Sequence, residues 1–357
     1  MVKYIICFCK FVSERNQIEH SCKPLPTQYT TAAVMKVASF NIQKFGKRKL
    51  SNPNTLDTLV KIVSRYDIIV ILEVVDKRGT SVKKFLEELN KANKKQHYTL
   101  QISSRLGRDR YKEQFMFLYR DDLVDLVDTW QYEDNQAGDV DAFAREPYIL
   151  RFECLHSVLE DLVLIPVHTK PEDSVKELDE LYDVFLEVTK KWKTDNVMIL
   201  GDFNADGSYL SKKGMKAIRI RSDKNFHWLI KDDVDTTANT GNNNTYDRIV
   251  IYGDDMLDAI VPNSAKPFNF QIAYGLSEED ALKVSDHYPV EVELKRKTPT
   301  EQIRQLLQNY PPQKDQAAEE EGATGVQRDR PMDVGTNPGW RGTTDSGWGL
   351  SPPAVGD

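Results

Sequence analysis

The chain has 357 residues, 40% of them hydrophobic, and a formal net charge of −7, which is enough for one large α/β domain or two ordinary ones. No run approaches the roughly 18 apolar residues of a membrane span. The negative charge argues against unspecific attraction to DNA or anionic lipid, though not against an enzyme that meets phosphate through a metal ion and a few local arginines. Of the four cysteines, only Cys154 lies beyond residue 34. The body therefore holds no internal disulfide, there is no Cys-x-x-Cys pattern for zinc, and little asks for an oxidising compartment.

The opening MVKYIICFCKFV is a short apolar stretch broken by Lys10, a poor match to a secretory signal. Residues 1–34 read as an aperiodic extension, with Met35 as an internal start just before the first strand. KVASFNI reads as a strand ending at Asn41, NTLDTLVKIVSRY as a helix, DIIVILEV as a buried strand ending at Glu73, and SVKKFLEELNKA as an amphipathic helix. YTLQIS and EQFMFLYR alternate as half-buried antiparallel strands do, and YILRFEC and LVLIPVHT continue in that style. The long amphipathic helix SVKELDELYDVFLEVTKKW leads to the strand VMILGD, and YDRIVIYG and YPVEVELK close the body near residue 297. Helices alternate with strands, several of them antiparallel in style. This predicts an α/β four-layer sandwich over residues 35–297: two packed mixed sheets flanked by helices. TPTE then forms a capping box with Thr298 as N-cap and Glu301 reaching back, opening a short helix over 298–312. Residues 313–357 have the composition of a disordered tail.

In VMILGDFNAD, Asp202 and Asn204 follow a buried apolar run. A carboxylate and an amide oxygen suit a hard cation, and residues i and i+2 of a strand share a face; the competing reading is a turn. Other strand ends carry the same chemistry: Asn41, Glu73, His168, Asp247, and Asp286 with His287 in SDHYP. Together they supply an acidic metal site and two titratable imidazoles. Phosphoester hydrolysis needs that set, because the anion must be neutralised, a water activated and the leaving alkoxide protonated.

VASFNIQKFG, DIIVILEV, RYKEQFMFLYR, AFAREPYILRF, VMILGDFNADGSYL, YDRIVIYG, PFNFQIAYGLS and SDHYPVEVEL closely resemble the deoxyribonuclease I family over residues 36–296. GDFN with SDH is shared by the wider superfamily of metal-dependent phosphoesterases, whereas RYKE, AREP and AYGLS are specific to deoxyribonuclease-like members. The resemblance implies a Mg²⁺- or Mn²⁺-dependent endonuclease acting on double-stranded DNA with little sequence preference. It implies His168 as general acid oriented by Glu113, and His287 as general base oriented by Asp247. Glu73, Asn41, Asp202, Asn204 and Asp286 would hold the metal and the scissile phosphate. Arg145 would contact phosphate, and Tyr111 would reach the minor groove. Structural Ca²⁺ is usual in the family, with Asp235 and Thr237 matching one loop and Asp134 with Asp141 the other.

Three departures stand out. Two arginines that the family places in the minor groove are Gln43 and Val75 here, leaving GKRK at 46–49 and SRLGRDR at 104–110 as replacement cations. The cysteines of the family disulfide fall at Gly207 and Thr245, and the loop from Asp235 to Tyr246 is slightly longer. The intact histidine and carboxylate set argues against a non-catalytic binding protein on the same fold. RYKE and AREP argue against a sister phosphoesterase acting on abasic DNA, phosphoinositides or sphingomyelin. The expectation is an intracellular monomer, in cytoplasm or nucleus, without membrane contact. Secretion is the alternative, in which case the sequon at Asn243 is available for glycosylation. Actin binding is not legible in the sequence.

Overall fold

Two six-stranded sheets form around three apolar layers. A computed structural model describes residues 34–134, 141–207, 209–298, 300, 301 and 304. Of the expected extension over 1–34, residues 1–33 lie outside the described residues, as do the bulk of the 298–312 helix and the tail, while Val34 already belongs to the first strand. The capping box is made: Thr298 Oγ1 donates to Glu301 Oε2 at 2.8 Å, and Glu301 N donates back to Thr298 Oγ1 at 3.3 Å.

The first sheet has the order β11 (Lys266–Pro267), β12 (Val290–Lys295), β1 (Val34–Phe45), β2 (Ile68–Val74), β4 (Gln114–Arg120), β3 (Tyr98–Ile102). The second runs β5 (Val124–Gln131), β6 (Tyr148–Cys154), β7 (Asp161–His168), β8 (Val197–Asp202), β10 (Asp247–Tyr252), β9 (Phe226–Trp228). Both sheets share one pairing pattern, with a parallel central pair flanked on each side by two antiparallel steps. β1 begins at Val34, so Met35 lies inside the strand, opposite Leu294, rather than ahead of it.

Strand alternation assigns each side chain to a layer. Val37, Val70, Leu72, Phe117, Leu150, Leu164, Met198, Leu200, Ile249 and Val292 point into the core between the sheets. Their neighbours Ala38, Phe40, Ile71 and Met116 face the helices Pro53–Val63 and Thr80–Ala92. Val163, Ile165, Val197 and Ile199 face the helix Ser174–Trp192. Because both faces are covered, the central strands read as continuous apolar runs, as expected of an α/β sandwich. Truncating one inner residue, such as Leu200→Ala, costs about 2–5 kcal/mol.

Gly201 has no substitute at its position. Its φ is +148°, and a Cβ there would lie 1.9 Å from the Val167 carbonyl oxygen, which is how β8 comes close to β7. Gly207 and Thr245 stand where the family disulfide would be, and beside them Thr245 N donates to Asp206 Oδ2 at 2.7 Å.

Candidate active site

The inward-facing rows of five strands continue beyond the apolar core as polar side chains. Asn41 extends the row of Val37, Glu113 that of Phe115 and Phe117, His168 that of Leu162 and Leu164, Asp202 that of Met198 and Leu200, and Asp247 that of Ile249. In register, Asp202 stands between His168 on β7 and Asp247 on β10. The site is thus the polar rim of the inter-sheet core.

Glu73 is the exception. By alternation it belongs to the helix side, but its φ is +57°, and the β1–β2 register breaks between Asn41 and Phe45. This irregularity, with Gln43 and Lys44 also at positive φ, costs on the order of 1 kcal/mol or more for each such residue. It turns the Glu73 carboxylate towards Asn41, whose Nδ2 donates to Glu73 Oε1 at 3.2 Å and to Asp202 Oδ2 at 3.1 Å.

His168 Nδ1 lies 2.8 Å from Glu113 Oε2, and its Nε2 lies 3.8 Å from Asp202 Oδ2. Glu113 is also gripped by Arg145, with Nη2 to Oε1 and Nε to Oε2 both at 2.9 Å, while Arg145 Nη1 donates to the His168 carbonyl at 3.1 Å. His287 Nδ1 lies 2.8 Å from Asp247 Oδ2, and its Nε2 lies 3.7 Å from the same Asp202 oxygen and 3.9 Å from Asp286 Oδ1. Each imidazole is therefore held at Nδ1 by a buried carboxylate, leaving Nε2 to face the cleft.

The electrostatics follow from burial and pairing. Burial pulls the His168 imidazolium down and Arg145 adds to this, but Glu113 and Asp202 outweigh both and raise its pKa. Burial pulls His287 down as well, and the carboxylates of Asp247, Asp202 and Asp286 more than reverse it. Burial pushes Glu113 up, yet His168 and Arg145 bring it below the usual range.

The donor set fits a divalent cation. Asn41 joins the carboxylates of Glu73 and Asp202, and Asp286 Oδ1 is buried with no hydrogen-bond partner. One ligand atom each from Asp202, Asp247 and His287 also falls within 4.8 Å of the others. The pairing of His287 Nδ1 with Asp247 gives these two an orienting role as well.

The structure gives several of the expected ligands partners within the chain. β8 ends at Asp202, and Asn204 has φ +46°, so the shared-face argument for this pair does not hold. Asn204 instead donates N–H to Asp202 Oδ1 at 3.1 Å and Nδ2 to the Thr169 carbonyl at 3.1 Å. Asn41 presents its amide NH₂ to the two carboxylates, while its Oδ1 accepts from Gln43 N at 3.0 Å. Asp134 and Asp141 have separate partners. Asp134 Oδ2 accepts from Ala142 N and Phe143 N at 2.7 and 2.8 Å, and Asp141 pairs with Arg108 at 3.0 Å. Asp235 Oδ1 accepts from Thr237 N and Oγ1 at 2.9 and 2.7 Å, and the loop it begins is bonded to the His287 segment by Ala238 N to Asp286 O and Tyr288 N to Thr236 O, both at 2.7 Å. Tyr111 is 47% exposed.

Three contributors were not anticipated. Gln43 Nε2 donates to Asp286 Oδ2 at 2.7 Å. Arg248, 1% exposed, donates to the carbonyls of Thr245 and Ile230 at 3.0 Å and pairs with Asp232 at 2.9 Å, bracing the loops behind Asp247. Glu177 Oε1 accepts from Lys170 N at 2.9 Å, and its carboxylate also accepts from Ala144 N, tying the segment after His168 to the one before Arg145. Its signal in the sequence is a charge on the apolar stripe of Leu181, Val184 and Val188.

Residues 38–287 match the Endonuclease/Exonuclease/phosphatase family. The chain is 45% identical to human deoxyribonuclease gamma over 265 residues, covering 74% of this chain and 87% of that protein. It is 47% identical to rabbit (Oryctolagus cuniculus) deoxyribonuclease-1 over 264 residues, covering 74% and 93%. The solved structure of truncated Caenorhabditis elegans TDP2 is similar with a TM-score of 0.50 at 16% identity, covering 73% of this chain and 97% of that one; this likeness concerns the fold alone.

Proposed function

The chain belongs to the Endonuclease/Exonuclease/phosphatase family, within its deoxyribonuclease I branch, and on that premise we propose that it is a metal-dependent endonuclease. It hydrolyses phosphodiester bonds of double-stranded DNA with little sequence preference, leaving 5′-phosphate and 3′-hydroxyl ends. The observation that carries this reading is the pair of imidazole–carboxylate dyads whose Nε2 atoms approach one Asp202 oxygen at 3.8 and 3.7 Å.

In this mechanism His287, oriented by Asp247, takes the proton of the attacking water, and His168, oriented by Glu113, delivers one to the departing 3′ oxygen. Asn41 Nδ2 keeps the carboxylates of Glu73 and Asp202 together. Arg145 holds Glu113 ionised and lends its charge to the phosphate side of the cleft. Glu73, Asp202 and Asp286 would hold a Mg²⁺ or Mn²⁺ ion, which would supply positive charge to the phosphate and offset the carboxylates around His287. Structural Ca²⁺ at the Asp235–Thr237 loop belongs to the same proposal, supported by that loop's bonds to the His287 segment.

Supercoiled plasmid in EDTA, then with Mg²⁺ or Mn²⁺ restored, tests this. Nicks should appear only with metal and should reseal with ligase without prior phosphorylation, as 5′-phosphate ends do. Intact plasmid under every metal condition overturns the reading. An intracellular site of action is also proposed, supported by the single body cysteine and by the hydrogen bond that stands where the family disulfide would be. Recovery of most activity from the medium, with Asn243 glycosylated, would reverse that part alone.

A further inference from the structure

SDHYP supplies Asp286 and His287 to the site, and the serine that opens it is fully buried. Ser285 is where the helix Glu278–Val284 stops. Its φ of −165° and ψ of 160° are those of a strand, and its N–H donates to the Ala281 carbonyl at 3.0 Å. That bond uses the backbone alone, so ending the helix does not call for a serine. The side chain is engaged elsewhere: Oγ donates to the Asn41 carbonyl at 2.6 Å and accepts from the His287 N–H at 3.1 Å.

These two partners belong to opposite halves of the site. Asn41, on β1, joins the carboxylates of Glu73 and Asp202. His287, ahead of β12, is held at Nδ1 by Asp247 of the other sheet. The backbone pairing of β1 with β12 ends at Ser39 and Val290, before it reaches either residue. On its other side the His287 segment is bonded to the Asp235 loop by Ala238 N to Asp286 O and Tyr288 N to Thr236 O. His287 lies between those bonds, opposite Thr237, so its own N–H is directed away from that loop. Ser285 Oγ is the acceptor it meets. Among the described residues, Ser285 is the only one whose side chain bonds the backbones of both Asn41 and His287.

A hydroxyl is the group that fits this place. It carries a donor and acceptor lone pairs on one atom, so it meets a carbonyl and an N–H at once. Without it, the Asn41 carbonyl and the His287 N–H lose this partner in a buried position, and Nε2 loses its fixed reach. Catalysis is sensitive to such shifts: a displacement of about 1 Å can cost about 10²-fold. Resting on the nuclease reading, we propose that Ser285 is a positioning residue: its hydroxyl sets where His287 Nε2 stands relative to the carboxylates joined by Asn41, and it acts on the reaction through His287 alone.

The test is a double-mutant cycle on the full chain, read as initial nicking rates over a range of supercoiled plasmid concentrations with Mg²⁺. Ser285→Ala should lower kcat at least about tenfold while KM stays within about threefold, the pattern of an interaction lost only in the transition state. Placed in His287→Ala, the same change should cost less than about twofold, since residues that act as a unit are not additive. Ser285→Cys should lose kcat as alanine does, because a thiol is a weak donor and acceptor, and it takes the place of alanine if that variant does not fold. Thermal unfolding well above the assay temperature in every variant shows that the fold is retained. Equal losses in both backgrounds would show that Ser285 acts through the fold or the metal side, and an unchanged kcat in Ser285→Ala would show that it does not act at all. Either result overturns the proposal while the wild type still nicks. A wild type that never nicks plasmid under any metal condition overturns the nuclease reading, and the positioning role falls with it.

Discussion

His168 stands opposite Asp202 in the β7–β8 register, with its Nε2 3.8 Å from Asp202 Oδ2. His287, held by Asp247 on the next strand, reaches the same oxygen at 3.7 Å. On the proposed function the reacting phosphate meets both imidazoles beside this carboxylate. His168→Ala and His287→Ala should each lower plasmid nicking by at least about 10²-fold, the low end for a general acid or base, with unfolding temperatures close to wild type. Near-normal turnover in either variant would make that histidine a structural residue.

Arg145 serves two partners, and its substitutions should separate them. Arg145→Ala removes a phosphate-side charge and the fork on Glu113, so nicking should fall at least about tenfold and the salt slope of DNA binding should flatten by about 0.9. Arg145→Lys should restore the slope but not the rate, because one ammonium cannot reproduce a bidentate fork. Full rescue of both by lysine would limit Arg145 to a charge.

Glu177 links stability to pH. Burial raises its pKa from 4.5 to about 7, so the folded chain binds this proton more tightly than the unfolded one. Its contribution to stability therefore falls as pH rises from about 4.5 to about 7 and is level above that. Relative to wild type, Glu177→Gln should gain up to about 3 kcal/mol across that window in urea titrations, from about 1.4 kcal/mol per unit of pKa. Parallel stability curves would mean that Glu177 titrates as an exposed carboxylate does.

Cys154 is 6% exposed, and burial, with Asp161 and Glu153 nearby, pushes its thiol up to about 12. Maleimide should modify it at least about a hundredfold more slowly in the native protein than in denaturant, since the thiolate is the nucleophile. Peptide mapping separates it from Cys7, Cys9 and Cys22. Fast native labelling would show that the end of β6 opens.

The central strands were legible because burial on both faces leaves continuous apolar runs, and the site was legible because its polar residues end those runs. β5 was not anticipated: it is an edge strand whose Asp125 and Asp128 break the alternation that would mark it. β9 and β11 are too short to show a period. Glu73 was found by type and position, but its orientation depends on a left-handed φ that no pattern encodes. Glu177 and Arg248 were overlooked because a charge within an apolar stripe looks like noise until its partners, distant in sequence, are known.

β1 opens the first sheet and β12 closes it, with Val34 opposite Lys295. Pairings between such distant segments form late, because a long loop must close before any contact rewards it. The active site inherits that schedule. Asn41 and Glu73 leave the ribosome early, whereas Asp286 and His287 come just before the final strand. A partly synthesised or truncated chain thus carries carboxylates and one imidazole but not the second, and has no neighbour for one edge of β1. On the proposed function, the protein gains the ability to cut DNA only when its last strand is in place.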